Sequence, residues 1–223
     1  MLPLWIKRPL HLRRLKDPSY RFLFDAPPPG EAVSIDCETT GLDRRRDDIV
    51  SIAAVRIKGN RILTSQRFEV LVRPTARMNP AAIKIHHLRE RDVAVGRAMA
   101  EVLPALLRFI GPRPLVGYYL EFDVAMINRY LRAWLGISLP NPQFEVSGLY
   151  YDRKYGDAPP GTHIDLTFAS LARDLKLDLI DQHDALADAT TAAVMYVMLK
   201  DLQARRARIA RAPYTPAAGF TGG

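Results

Sequence analysis

Three separated stretches of this chain carry side chains whose types and spacing could do chemistry. Ser34-Ile35-Asp36-Cys37-Glu38-Thr39-Thr40-Gly41 sets two carboxylates two positions apart at the end of an apolar run. In a strand alternate side chains share a face, so Asp36 and Glu38 project together while Ile35 and Cys37 turn into the core. Paired carboxylates repel unless a cation lies between them, and hard oxygen donors suit magnesium or manganese better than zinc. An Asp-x-Glu triplet alone is weak evidence in a chain rich in acids. Its place at the mouth of a strand, followed by Thr39-Thr40-Gly41, gives it weight.

His183-Asp184-Ala185-Leu186-Ala187-Asp188 opens the last helical pattern. His183 and Asp188 are about one and a half helical turns apart, and the alanines leave room for a substrate or for close helix–sheet packing. A lone His at such a place is more often a surface residue, although an imidazole there could serve as a base. Asp188 is harder to dismiss, because a carboxylate inside a helix of Ala, Leu, Val and Met needs a cation or full hydrogen bonding. Asp123, in Glu121-Phe122-Asp123, reads by itself as an ordinary first-turn acid favoured by the helix dipole.

These groups need elements to position them. Ala32–Cys37 and Ile49–Ile57 read as buried strands, and Lys58-Gly59-Asn60-Arg61 as the turn into a third strand, Arg61–Val72, ended by Pro74. The period then changes to helical over Pro80–Leu88 and Arg97–Ile110, where Pro104 predicts a kink or a later start. Pro114–Gly117 reads as a brief strand, Glu121–Leu135 as a helix, and Asn141–Pro160 as loop around one short strand near Phe144–Val146. Helices follow near Asp165–Asp174 and His183–Ala207. Strands first, then alternating helix and strand, predict an α/β fold with a mixed sheet covered by helices. Residues 1–30 read as an irregular basic arm with a Pro-rich spacer, 31–208 as the working domain, and 209–223 as a flexible tail.

Composition narrows the classes. The chain has 223 residues, 48% of them apolar, enough for one sizeable core. Its 32 basic and 24 acidic residues leave a net charge of +8, which favours a polyanionic partner. A single cysteine, Cys37, excludes a disulfide framework or a zinc cluster and suits a reducing, cytoplasmic compartment. No apolar run approaches the roughly 20 residues that span a bilayer, so no membrane role is expected.

Taken together, the three stretches resemble the DnaQ-like, or DEDD-type, 3′→5′ exonuclease superfamily in its histidine subtype, which includes the proofreading epsilon subunit of DNA polymerase III. Asp36 to Gly41 matches the whole first motif, Asp-x-Glu-Thr-Thr-Gly. Gly117, Phe122 and Asp123 match the second, and His183, Ala185 and Asp188 the third; Ile85-His86-His87-Leu88 resembles a further signature. Two positions depart from the pattern: Tyr118-Tyr119 stands where the family usually has His-Asn, and His87 where it usually has Gly. The first departure bears on substrate choice.

The resemblance implies a ribonuclease H-like sheet, an antiparallel hairpin plus parallel strands, flanked by helices. It implies hydrolysis from the 3′ end of DNA with two Mg²⁺ or Mn²⁺ ions held by Asp36, Glu38, Asp123 and Asp188, and with His183 as the base. It further implies that Thr39, Thr40, Leu42, Ile85 and His86 meet the terminal nucleotide. The partners implied are single-stranded DNA or frayed 3′ ends, with RNA ends as the alternative, and a DNA polymerase. A rival of another class is a nucleic-acid-binding or polymerase-tethering module without catalysis, against which the intact carboxylate set argues. The basic groups of the arm and of Arg205–Arg211 are read as a solvated face, with contact to phosphates or a polymerase as the alternative.

Overall fold

The computed structural model describes residues 11–179 and 183–211. The N-terminal part of the basic arm and the tail Ala212–Gly223 lie outside the described residues. Five strands form one sheet: β1 (Glu31–Thr39), β2 (Ile49–Lys58), β3 (Arg61–Leu71), β4 (Leu115–Gly117) and β5 (Gln143–Glu145). The order is β3-β2-β1-β4-β5. The first three strands pair antiparallel as a meander, and β4 and β5 add to β1 in parallel. This is the mixed sheet the sequence predicts.

Among the described residues, the helices around it include α1 (Pro80–His86), α2 (Glu90–Val93), α3 (Met99–Ile110), α4 (Leu120–Leu135), α5 (Val146–Lys154), α6 (Phe168–Asp174) and α7 (Ala185–Ala204). Strand alternation divides the core between the two faces. Val33, Ile35 and Cys37 of β1 join Ile52 and Ala54 of β2 beneath α3 and α4. Ala32, Val55, Ile57 and Val116 face the other way, toward Val146 and Tyr150 of α5 and Ala192, Ala193 and Met195 of α7. Each large apolar side chain wholly hidden this way, Leu106 or Ile127 for instance, contributes about 1.5–3 kcal/mol. The alanines let α7 lie close on β1 and β2. The even-numbered side chains of β1 therefore point at α7.

Three readings of the sequence change. The segment expected as an irregular arm is folded: Pro18–Phe24 forms a 3₁₀ helix, capped by Asp17 and opened by Pro18, and buries Tyr20, Leu23 and Phe24 in the α3–α4 core. Its charged residues hid three core side chains. The stretch 141–160, expected as loop beyond its strand, contains α5. Glu145 caps that helix by accepting from the Ser147 amide, and burial of Val146 and Tyr150, one turn apart, holds it. α3 starts at Met99 rather than Arg97 and runs through Pro104 to Ile110. No helix among the described residues is long and apolar enough to cross a membrane.

Candidate active site

Asp36 and Glu38 sit on the α7 face of β1, opposite Ala53 and Ser51 of β2, whose small side chains leave space above the sheet. Asp188 comes from the first turns of α7. That helix is started by Asp184, whose carboxylate accepts the Ala187 amide at 2.9 Å. Oxygens of Asp36, Glu38 and Asp188 lie within 4.8 Å of one another. Strand parity and the helix cap thus bring residues about 150 positions apart in sequence to one point.

Asp123 arrives from another side. The parallel pairing of β1 with β4 brings Gly117 against β1, where a Cβ would stand 3.0 Å from the Ile35 carbonyl oxygen. The chain then turns at once into α4, at the carboxyl ends of the parallel strands, where α/β sheets commonly bind ligands. Asp123 is only 4% exposed, a poor fit to an ordinary surface acid. It lies outside the tight trio but close enough to feel Asp36 and Glu38.

The electrostatics are those of acids crowded without counter-charge. Burial, then Glu38, Asp188 and Asp184, push the Asp36 carboxyl well above the usual range. Burial, then Asp188 and Asp184, raise Glu38 to about 7. Burial, then Asp36, Glu38 and Glu145, raise Asp123. Asp188 is raised by burial, with the His183 amide and charge opposing. Every charge felt by Asp36 is another carboxylate. A converging set of hard oxygens with this much unrelieved repulsion fits a divalent cation. Cys37, directly between them in sequence, is buried and its thiol pushed far up, so it is inert.

His183 precedes the α7 cap with φ 68°, and its amide donates to Asp188 Oδ2 at 3.1 Å. It lines a 460 Å³ cleft together with Glu38, His86, His87 and Asp184. His86 is buried. Its Nδ1 accepts the Leu88 amide at 3.1 Å, which leaves Nε2–H to donate to the Thr39 carbonyl at 3.2 Å. Burial lowers its pKa, so it stands as a neutral ring tying α1 to the end of β1.

The residues expected to meet a nucleotide divide. Leu42 and Ile85 are exposed apolar side chains, 84% and 49%. Thr39 donates its hydroxyl to the Gly41 carbonyl at 2.7 Å. Thr40 is fully buried: its hydroxyl donates to Asp47 and accepts the Asp48 amide, its own amide donates to the Asp48 carbonyl, and its carbonyl accepts the Asn79 amide. Thr40 therefore shapes the β1–β2 loop from within and has no group turned to a ligand.

Two contributors were not assigned from sequence. Asp184 adds negative charge to Asp36 and Glu38; an Asp just before an apolar helix is the cap signal that points to it. Glu145 accepts the amides of Tyr119 (3.2 Å) and Leu120 (2.9 Å) at the start of α4 and also caps α5. No local pattern announces a carboxylate shared by two helices.

The exonuclease family profile, RNase_T, matches residues 33–196. The epsilon subunit of DNA polymerase III from Aquifex aeolicus is 29% identical over 170 residues, 76% of this chain and 80% of that protein. The PolC-type DNA polymerase III of Caldanaerobacter subterraneus subsp. tengcongensis is 31% identical over 179 residues, 78% of this chain and only 12% of that polymerase. Among solved structures, Escherichia coli exonuclease I in complex with a dT13 oligonucleotide superposes with TM-score 0.64 at 16% identity, over 79% of this chain and 42% of that one. Cell-death related nuclease 4 does so with TM-score 0.64 at 12% identity, over 78% and 64%. At those identities the likeness shows a shared fold. The matched segment begins inside β1 and ends inside α7, so it takes in every stretch that converges on the carboxylates: the chain belongs to the exonuclease family and is similar to the epsilon subunit of DNA polymerase III.

Proposed function

We propose that this chain is a 3′→5′ exonuclease that hydrolyses the terminal phosphodiester bond of DNA, on single strands or frayed ends, and releases nucleoside monophosphates. The observation that carries this reading is the convergence of Asp36, Glu38 and Asp188 within 4.8 Å. With Asp123 beside them, these residues would hold two Mg²⁺ or Mn²⁺ ions. Such a pair, when bound, neutralises charge on the phosphoryl oxygens and the leaving 3′-oxygen.

The chain's own groups supply the rest. His183 lines the cleft and its backbone amide is bonded to Asp188, which supports the reading that its imidazole takes a proton from the attacking water. His86 and Thr39 fix the end of β1 and thereby the direction of Glu38. Leu42 and Ile85 offer apolar surface to the terminal base. A DNA polymerase is the proposed partner, in keeping with relatives named DNA polymerase III subunit epsilon and DNA polymerase III PolC-type.

The test is release of mononucleotides from a 5′-labelled single-stranded oligonucleotide by the full chain, His183→Ala and Asp36→Ala. Loss is expected to be greater for Asp36→Ala than for His183→Ala, and equal rates in all three would end the proposal. A matched RNA oligomer run alongside decides between DNA and RNA ends.

A further inference from the structure

Tyr119 has no part in the carboxylate cluster, yet the fold holds it in a costly way. It is the N-cap of α4, two residues beyond β4 and four before Asp123. Its φ of 55° lies in the left-handed region, where Gly or Asn is at ease and a bulky side chain is not. Its side chain makes no cap bond, because Glu145 does the capping. Tyr119 is 71% exposed, although an aromatic of this size ordinarily buries most of its surface.

The ring is also backed. Tyr118 stands edge-on to it at 5.1 Å and 75°. Tyr118 is itself anchored by Phe168 at 5.0 Å and by its hydroxyl, which donates to the Leu166 carbonyl at 2.9 Å. Basic groups flank the same helix start. Arg44 reaches Glu121 at 3.0 Å and lies 5.8 Å from the Phe122 ring, which brings the exposed run Arg44–Arg46 alongside α4. A strained, exposed, supported aromatic beside a basic loop, at the edge of a phosphodiesterase site, has the make-up of a single-strand platform.

We propose that Tyr119 is a stacking platform for an unpaired nucleobase near the 3′ end of the substrate strand, with Arg44–Arg46 drawing in the neighbouring phosphates. This rests on the reading that the chain works on nucleic-acid 3′ ends, and it adds to that reading the residue that grips the strand. Base–aromatic stacking tolerates any base, so the contact should favour unpaired over paired ends without sequence preference.

The experiment measures binding of a 5′-fluorescent oligothymidylate to the full chain in calcium, for wild type, Tyr119→Ala, Tyr119→Phe and Tyr119→Asn. A single abasic residue is then scanned through the last few positions. Tyr119→Ala and Tyr119→Asn should bind about tenfold more weakly, and Tyr119→Phe within about twofold of wild type. Tyr119→Asn should also melt at or above the wild-type temperature, since Asn relieves the backbone; a merely structural tyrosine would lose stability instead. At one position the abasic residue should weaken wild type by the same factor yet leave Tyr119→Ala unchanged. Wild-type affinity in Tyr119→Ala, Phe no better than Ala, or additive losses at every position would overturn the platform. Cleavage of the same oligonucleotide by wild type in Mn²⁺ separates the two ideas: no cleavage sinks the exonuclease reading, whereas cleavage with unaltered Tyr119→Ala binding sinks the stacking alone.

Discussion

The backbone amide of His183 donates to the carboxylate of Asp188, five residues on, at 3.1 Å. The group proposed as base and a group proposed as ligand are thus tied to each other before any substrate arrives. Asp188→Asn keeps an oxygen for that amide and removes the charge; Asp188→Ala removes both. Single-turnover cleavage should fall by about 10²-fold or more in each. The fall should be deeper for Asp188→Ala, and an identical residual rate would show that the His183–Asp188 bond does not matter to the chemistry.

Crowded carboxylates make a prediction about stability. Glu38 is raised from 4.5 to about 7, and Asp36 and Asp123 are raised further than ordinary acids. A carboxyl whose folded pKa exceeds its unfolded value is neutral in both states at low pH, and its ionisation weakens the fold as pH rises between the two values. In chelator, melting temperature should therefore decline from about pH 4.5 through 7 on account of this cluster. Added Mn²⁺ should restore it, most strongly at the upper end. Asp36→Asn should raise the chelated protein's melting temperature while abolishing activity, and a lowered one would argue against stored repulsion.

His86 gives the opposite slope. Its folded pKa lies below 6.5 because burial favours the neutral ring. The unfolded chain takes up the proton first, so stability present above pH 6.5 is lost as pH falls toward the folded value. His86→Gln should remove this acid sensitivity and, by freeing the Thr39 carbonyl or the Leu88 amide, cost about 1–3 kcal/mol at neutral pH in denaturant titrations. A variant with unchanged pH dependence would assign the effect to another group.

Asp48 anchors the loop that leaves β1. It accepts from the Thr75 amide and hydroxyl, the Ala76 amide, the Tyr130 hydroxyl and Arg129, the last at 2.6 Å. Those donors overcome its burial and hold it at about 2. Because the folded value is depressed, this contribution is intact above the usual 3.8 and disappears as pH falls through about 2. Removing the carboxylate in Asp48→Ala should cost about 3–5 kcal/mol by leaving Arg129 and the amides unpaired. Unchanged stability would mean the loop is held elsewhere.

Leu23→Ala tests the N-terminal segment. Leu23 is 2% exposed within the α3–α4 core. The substitution should cost about 2–5 kcal/mol, as for any buried leucine, whereas a mobile arm would show no change.

Legibility followed the strength of the local signal. β1, β2 and α3 were readable because many consecutive residues repeat one period, and the carboxylates because their spacing survives in sequence. α5 was not: only Val146 and Tyr150 mark its buried face, Gly148 lies between them, and the helix depends on partners far along the chain, such as the ion pair of Lys154 with Asp174. The 3₁₀ turn failed for a related reason, since its three core residues sat among charges. At the site, sequence located Thr40 but not which way its groups turn; that is decided by Asp47, Asp48 and Asn79, which a motif does not contain.

Glu145 secures the first amides of α4 and the first turn of α5 with a single carboxylate. Two rods pinned at one point cannot be adjusted separately. Any change that shifts α5 will drag Asp123 and Tyr119 with it, so variation aimed at retuning this nuclease is better placed away from that shared pivot, and away from Leu166, whose carbonyl holds Tyr118 behind Tyr119.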